Sequence, residues 1–152
     1  MLLLASGCGF RPVYGQQENN ISATLASVRI EKIPGRNGQV LEYALEDLLN
    51  PNNMAASEDY TIKIDLRESR RELGIKEDLR VTRYDIVQTA QYKLISLSDN
   101  REVDAGTIAI KSSFNRTVSE FSTYVAEGDA SEKAARELAQ EIRSRLIYYF
   151  SK

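Results

Sequence analysis

The stretch DYTIKIDLRES, residues 59–69, alternates apolar and polar side chains more regularly than any other part of the chain. Successive side chains of a β-strand point to opposite faces, so this period of two predicts a strand with one buried side. The predicted buried side consists of Tyr60, Ile62, Ile64 and Leu66. Such a strand needs partner strands and a second layer that covers its apolar face.

Three further segments predict strands. They are residues 24–33 (TLASVRIEKI), 81–97 (VTRYDIVQTAQYKLISL) and 102–114 (EVDAGTIAIKSSF). In the last of them the alternation shifts near Gly106, which predicts a β-bulge. The charged run 67–80 joins the second and third strands and predicts the turn of a long hairpin.

Residues 37–50 (NGQVLEYALEDLLN) predict the first helix. Asn37 is expected to cap its start, and Asn50-Pro51 to end it. Its predicted apolar stripe is Leu41, Ala44, Leu45, Leu48 and Leu49.

The last segment predicts a second helix, capped by Asp129 with Glu132 completing a capping box. Its apolar face follows steps of three and four residues: Ala135, Leu138, Ile142, Leu146 and Tyr149. The element order is therefore β-α-β-β-β-α. We predict an α+β fold over residues 23–152, with two helices packed on one face of a four-stranded, mostly antiparallel sheet.

Composition excludes several classes of function. The 152 residues carry a formal net charge of −2 and contain no histidine and one cysteine. An overall basic field for nucleic acid is absent, as are the residues of Ser-His or Cys-His catalysis and of ordinary zinc sites. We expect no metal site and no cofactor, and only a carboxylate-dependent enzyme remains possible.

The single cysteine, Cys8, follows the small residues Leu4-Ala5-Ser6-Gly7. A free cysteine is usually a small buried residue, but Cys8 precedes a polar stretch outside every predicted element. The alternative is a lipobox, in which the thiol accepts a diacylglycerol and anchors the chain in a membrane. On this interpretation residues 1–7 are the remnant of a signal peptide, and residues 8–22 are the lipidated N-terminus and a tether.

The hairpin charges allow two interpretations. Acidic residues interleave with six basic residues: Arg67, Arg70, Arg71, Lys76, Arg80 and Arg83. The run is either a solvated surface that protects strand edges or an anion site built from guanidinium groups. The residues alone leave both open.

Four stretches together resemble the LptE family of lipopolysaccharide-assembly lipoproteins. They are CGFRPVYG at the lipobox, the step Thr82-Arg83-Tyr84, AQYKL, and the terminal YVAEGDASEKAARELAQEIRSRLIYYF. The resemblance implies the same element order that the patterns predict. It also implies a non-enzymatic protein, lipid-anchored at the periplasmic face of the outer membrane, that plugs the LptD β-barrel, assists its assembly and helps lipopolysaccharide to the cell surface.

The resemblance further implies lipopolysaccharide binding through basic residues near the strand tips. Lys76, Arg80 and Arg83 are the matching candidates in this sequence. A second basic position of the family, just before the last helix, falls near Glu127 here. The chain departs from the family pattern at that position.

Two other classes of function stay open at this stage. One is an auxiliary lipoprotein of an ABC-type envelope transporter, which would associate with inner-membrane components. The other is a carboxylate-dependent envelope enzyme, which would need two acidic residues at catalytic spacing in a concave pocket.

Overall fold

The computed structural model describes residues 15–51, 57–75 and 81–152. Its four strands form one sheet in the order β1-β2-β3-β4. The strands are β1 (Val28–Ile30), β2 (Tyr60–Ile75), β3 (Val81–Ser96) and β4 (Arg101–Asn115). β1 pairs parallel with β2, whereas β2 with β3 and β3 with β4 pair antiparallel. The predicted α+β class and mostly antiparallel sheet are confirmed.

Within the described residues three helices accompany the sheet: α1 (Gly15–Ala26), α2 (Arg36–Leu49) and α3 (Glu120–Phe150). α2 packs against α3, and α3 packs against β3 and β4. The predicted apolar stripes of α2 and α3 supply the core, and the fully buried members include Leu41, Leu45, Leu138, Ile142 and Leu146.

The alternation of β2 is confirmed, because Ile62 and Ile64 are buried in the same core. The other side of this strand carries Lys63, Asp65 and Arg67, which are exposed. We call the exposed side of the sheet the open face. It carries every second residue of β2, β3 and β4, and the helices lie on the opposite face.

The β-bulge predicted near Gly106 is present in β4 but lies at Val103, three residues earlier. Leu94 pairs with Asp104 and Ile95 with Glu102, so Val103 is the extra residue. Gly106 has a steric role instead, because a Cβ atom there would lie 2.8 Å from the ring of Tyr92. The glycine allows that ring to pack across β4.

The beginning of the chain differs from the prediction in two ways. The first strand is limited to Val28–Ile30, and the residues expected to form a tether up to Ser22 are helical from Gly15 onward. Ile21 and Leu25, four residues apart, lie on one side of α1 and pack on the core. The polar run that precedes them conceals this helix in the sequence.

The helix starts also differ. α3 begins at Glu120 after Ser119, whose Oγ accepts a hydrogen bond from the Ser122 N–H at 3.3 Å, and Asp129 lies inside the helix. α2 begins at Arg36 after Gly35, whose φ of 86° suits glycine, so Asn37 is not its cap. The predicted end of α2 at Asn50 is confirmed.

Candidate functional site

The sequence-predicted site lies at one end of the sheet, which we call the hairpin end. There β2 finishes, β3 starts, β4 finishes and α3 starts, because Leu73, Arg83 and Asn115 are direct neighbours across three strands. The chain then turns into α3 at Glu120. Residues far apart in sequence therefore meet at this end.

A small aromatic cluster joins α3 to the sheet at the hairpin end. The rings of Tyr84 and Phe114 stack with centroids 5.3 Å apart. Ala126 of α3 packs against the buried cluster that contains this pair. The Arg70 guanidinium lies 5.0 Å from the centre of the Tyr84 ring, a cation–π distance.

Glu127 completes this cluster and explains the departure from the family pattern. Its carboxylate accepts two hydrogen bonds from Nη1 of Arg70, both 3.3 Å long. The acidic residue thus pairs with a basic residue of β2 within the same chain. Glu127 is in this way a structural contact between α3 and the hairpin.

Of the predicted lipopolysaccharide contacts, Arg83 lies in β3 with its side chain exposed. Its register places it on the open face. Lys76 and Arg80 belong to the segment that joins β2 to β3 and lie outside the described residues, as does Cys8. Their predictions therefore stay predictions.

Next to Arg83 the open face carries a buried carboxylate that sequence reasoning missed. Asp85 is 4% exposed, and its Oδ1 accepts a hydrogen bond from Ser113 Oγ at 2.5 Å. Lys111 Nζ lies 3.6 Å from Oδ2, and Arg71 stands directly opposite Asp85 in the β2–β3 register. Arg71, Arg83 and Lys111 are all exposed around this carboxylate. Such guanidinium and ammonium groups suit phosphate or carboxylate ligands.

The first turns of α3, together with the residue just before its cap, expose an apolar stripe that the sequence analysis also missed. It consists of Val118, Phe121, Tyr124 and Val125. The stripe faces outward because Ala126, Ala130 and Ala134 lie on the other side of the helix and face the sheet. Further along α3 the outer surface carries the ion pairs Arg136–Glu132 and Lys133–Glu137. In the sequence, the spacing of three and four residues between Val118 and Val125 could have indicated this apolar helix face.

Tyr92 is a buried titratable group away from the hairpin end. Its hydroxyl donates a hydrogen bond to Asp104 Oδ2 at 2.9 Å. Burial, and then this hydrogen bond, raises the pKa of Tyr92 to about 12. The phenol therefore stays protonated well above neutral pH and serves as a donor to Asp104.

The described residues contain no group of three or more acidic or cysteine side chains that could hold a metal ion. None of the helices that the structure describes is long and apolar enough to cross a membrane.

Comparison with known proteins assigns the family. The model of the lipopolysaccharide-assembly family LptE matches residues 25–146, which include the sheet, α2 and most of α3. The chain belongs to the LptE family. This family is a non-enzymatic lipopolysaccharide-assembly lipoprotein family.

The chain is also similar to an uncharacterised protein of Rickettsia prowazekii (strain Madrid E). The two are 29% identical over 147 residues, which cover 97% of this chain and 91% of that protein. This similarity carries no further functional information.

Two solved structures share the fold. A candidate lipoprotein of Caulobacter crescentus CB15 superposes with a TM-score of 0.72 at 19% identity, covering 88% of this chain and 97% of the other. Rare lipoprotein B of Shewanella oneidensis gives 0.61 at 12% identity, covering 78% and 90%. Both similarities show a shared fold.

Proposed function

We propose that this LptE-family protein is a lipid-anchored outer-membrane protein that occupies the LptD β-barrel, assists its assembly and helps deliver lipopolysaccharide to the cell surface. The apolar stripe on α3 is the observation that carries the proposal beyond family membership. Aromatic and aliphatic side chains that are grouped and exposed on a soluble surface usually mark a contact with a partner.

The stripe is held rigidly, which suits a docking surface. Ser119 caps the helix at its first turn, and one turn further on Ala126 packs against the buried cluster that contains Tyr84 and Phe114. The Arg70–Glu127 ion pair adds a polar contact on the same turn. A preformed surface loses less conformational entropy on binding than a loose segment would.

We propose that the lipopolysaccharide site is the part of the open face around Arg83. Arg71 and Lys111 flank the buried Asp85 there, and Lys76 and Arg80 lie in the adjoining connection between β2 and β3. Phosphate groups of a lipopolysaccharide headgroup are the anions that this set of side chains would bind. The stripe and the basic residues flank the same end of the molecule, so barrel and lipid contacts would be close together.

The proposal keeps Cys8 as the lipidated residue. Its thiol would become the acylated N-terminus, and several acyl chains would hold the protein at the periplasmic face of the outer membrane. Lipoprotein neighbours of the same fold support this placement.

Co-purification of the barrel tests the partnership. Phe121 and Tyr124 are 75% and 69% exposed, so the double variant Phe121→Ser/Tyr124→Ser should fold normally. We expect it to lose most of the LptD that the unaltered chain retains from detergent-solubilised outer membranes.

Tyr43→Ser/Tyr148→Ser is the matched control, because these residues are 57% and 64% exposed on other helix surfaces. It should retain the barrel. Retention of inner-membrane transporter components in place of LptD by the unaltered chain would contradict the proposed function and favour an ABC-type auxiliary lipoprotein.

A further inference from the structure

β4 forms one long edge of the sheet, whereas the opposite edge is the three-residue strand β1. Within the described parts of the chain, no backbone group of β4 bonds to the backbone of another element besides its neighbour β3. Its outer side therefore presents N–H and C=O groups to which another strand can bond.

The sheet register identifies these outward groups. The Ile62 C=O accepts a hydrogen bond from the Glu31 N–H at 3.0 Å, so the even-numbered residues at the start of β2 point their backbone groups toward β1. Because the groups alternate in direction along a strand, odd-numbered residues of β2 bond to β3, and even-numbered residues of β3 bond to β4. After the bulge, even-numbered residues of β4 therefore bond back to β3. The groups that point outward belong to Ala105, Thr107 and Ala109.

The middle of this edge lacks the features that usually prevent strand pairing. Natural edges are protected by charges, proline, bulges or short length. The bulge at Val103 lies before the segment 105–110 (AGTIAI) and Lys111 lies after it, but the segment itself contains neither charge nor proline. An edge of this composition is expected to be covered where the protein functions.

The edge is both accessible and held in place. Ala105, Thr107 and Ala109 are exposed and carry small side chains, so they leave room for an incoming backbone. Ile108 is buried on the other face and Ile110 packs against the core. A segment that pairs with this strand therefore orders only itself on binding.

The proposed function, on which this inference rests, restricts what can cover the edge. A barrel that encloses one copy of the chain keeps a second copy away from β4. The wall strands of a closed barrel bond to each other on both sides and have no free edge, so only a part of LptD outside that wall has unpaired backbone groups. β4 ends at Asn115, three residues before Val118 of the apolar stripe, so the partner proposed for the stripe can also reach the strand.

We propose that an extended segment of LptD, outside its paired wall, adds to the sheet as a further strand along residues 105–109 of β4. Backbone hydrogen bonds to Ala105, Thr107 and Ala109 hold this segment, as in other cases of strand addition to an exposed edge. The small side chains beside these groups place few demands on the side chains of the added strand.

Hydrogen–deuterium exchange of the full chain, alone and in complex with LptD, tests this inference residue by residue. In the chain alone, the N–H groups of Ala105, Thr107 and Ala109 should exchange fast, whereas those of Ile108 and Ile110 are protected by their bonds to β3. In the complex we expect the three outward groups to exchange about tenfold more slowly or less, the effect of one added hydrogen bond each.

Thr107→Pro removes the central outward N–H, and proline is tolerated on edge strands where the N–H faces solvent. We expect this variant to retain about threefold less LptD from detergent-solubilised outer membranes. Thr107→Val is the matched control, because it keeps the N–H and the β-branched shape, and it should retain LptD normally. Thermal unfolding checks that both variants fold, and the exchange of the unaltered chain tests the inference even if Thr107→Pro does not.

The outcomes separate this inference from the proposed function. Retention of LptD with unchanged exchange at all three outward groups overturns the strand addition and leaves the proposed function standing. Failure of the unaltered chain to retain LptD contradicts the proposed function and this inference together. Protection of the same groups in the chain alone, rising with its concentration, would show a second copy at the edge and also overturn the inference.

Discussion

Asp85 and Arg83, two residues apart in β3, differ completely in their surroundings. Asp85 is buried and bonded to Ser113, whereas Arg83 is exposed beside Leu73 and Asn115. A buried carboxylate needs compensating partners, and Ser113 and Lys111 supply them. Arg83 therefore faces solvent, whereas Asp85 organises the residues around it.

Charge reversal at Arg83 tests the lipopolysaccharide site. Because the side chain is exposed on a strand, Arg83→Glu should leave the thermal unfolding midpoint nearly unchanged. We expect lipopolysaccharide binding by the purified chain to weaken by about tenfold or more, the size of one lost charge-assisted contact. Lys133→Glu, on the polar surface of α3, is the control and should bind normally. Equal binding by all three proteins would show that the site lies elsewhere.

At the residue scale the role of Arg83 stays a prediction from the sequence, and its neighbours in the structure had no signal there. Arg70 and Glu127 are 57 residues apart, and no local pattern indicates that they pair. Asp85 reads as a solvent-facing charge in an alternating strand, and only the register of β3 with β4 places Ser113 beside it. Contacts of this kind depend on tertiary structure.

Among the elements, α3 shows how two caps can compete for one helix. Asp129 and Glu132 match a capping box, yet the helix starts at Glu120. The earlier start is favoured because Ser119 caps it and Ala126 packs on the aromatic cluster. The long strands were predicted more accurately, because alternation over many residues indicates directly which side chains are buried. The three-residue strand β1 and the polar start of α1 carry little periodic pattern, so the extent of β1 and the presence of α1 were not predicted correctly.

Substituting alanine for two glycines should change the free energy of unfolding in opposite directions. In β4, Gly106→Ala should lower the free energy of unfolding by about 1–3 kcal/mol, because its Cβ would lie 2.8 Å from the Tyr92 ring. In α3, Gly128→Ala should raise it by about 0.5–1 kcal/mol, because nothing lies within 4 Å of the added atom and alanine favours the helix. Urea unfolding measures both. A destabilised Gly128→Ala variant would contradict the helix described for residues 120–150.

The whole molecule has two sides of opposite character. The open face of β2, β3 and β4 carries six basic residues, Lys63, Arg67, Arg71, Arg83, Lys93 and Lys111, against Asp65, Asp85 and Glu102. The chain as a whole has a net charge of −2, so the remainder is acidic. An anionic ligand would therefore be attracted to the open face. The overall composition does not reveal that the basic residues are grouped on one face, because this grouping depends on the order and register of the strands.

The central claim is that this chain assists the assembly of the LptD barrel. It is tested most directly by depleting the chain from its own cells and measuring the fraction of LptD that migrates as a folded barrel in unheated electrophoresis samples. We predict that this fraction falls sharply and recovers when the unaltered chain is supplied again. An undiminished folded fraction after depletion would contradict the account.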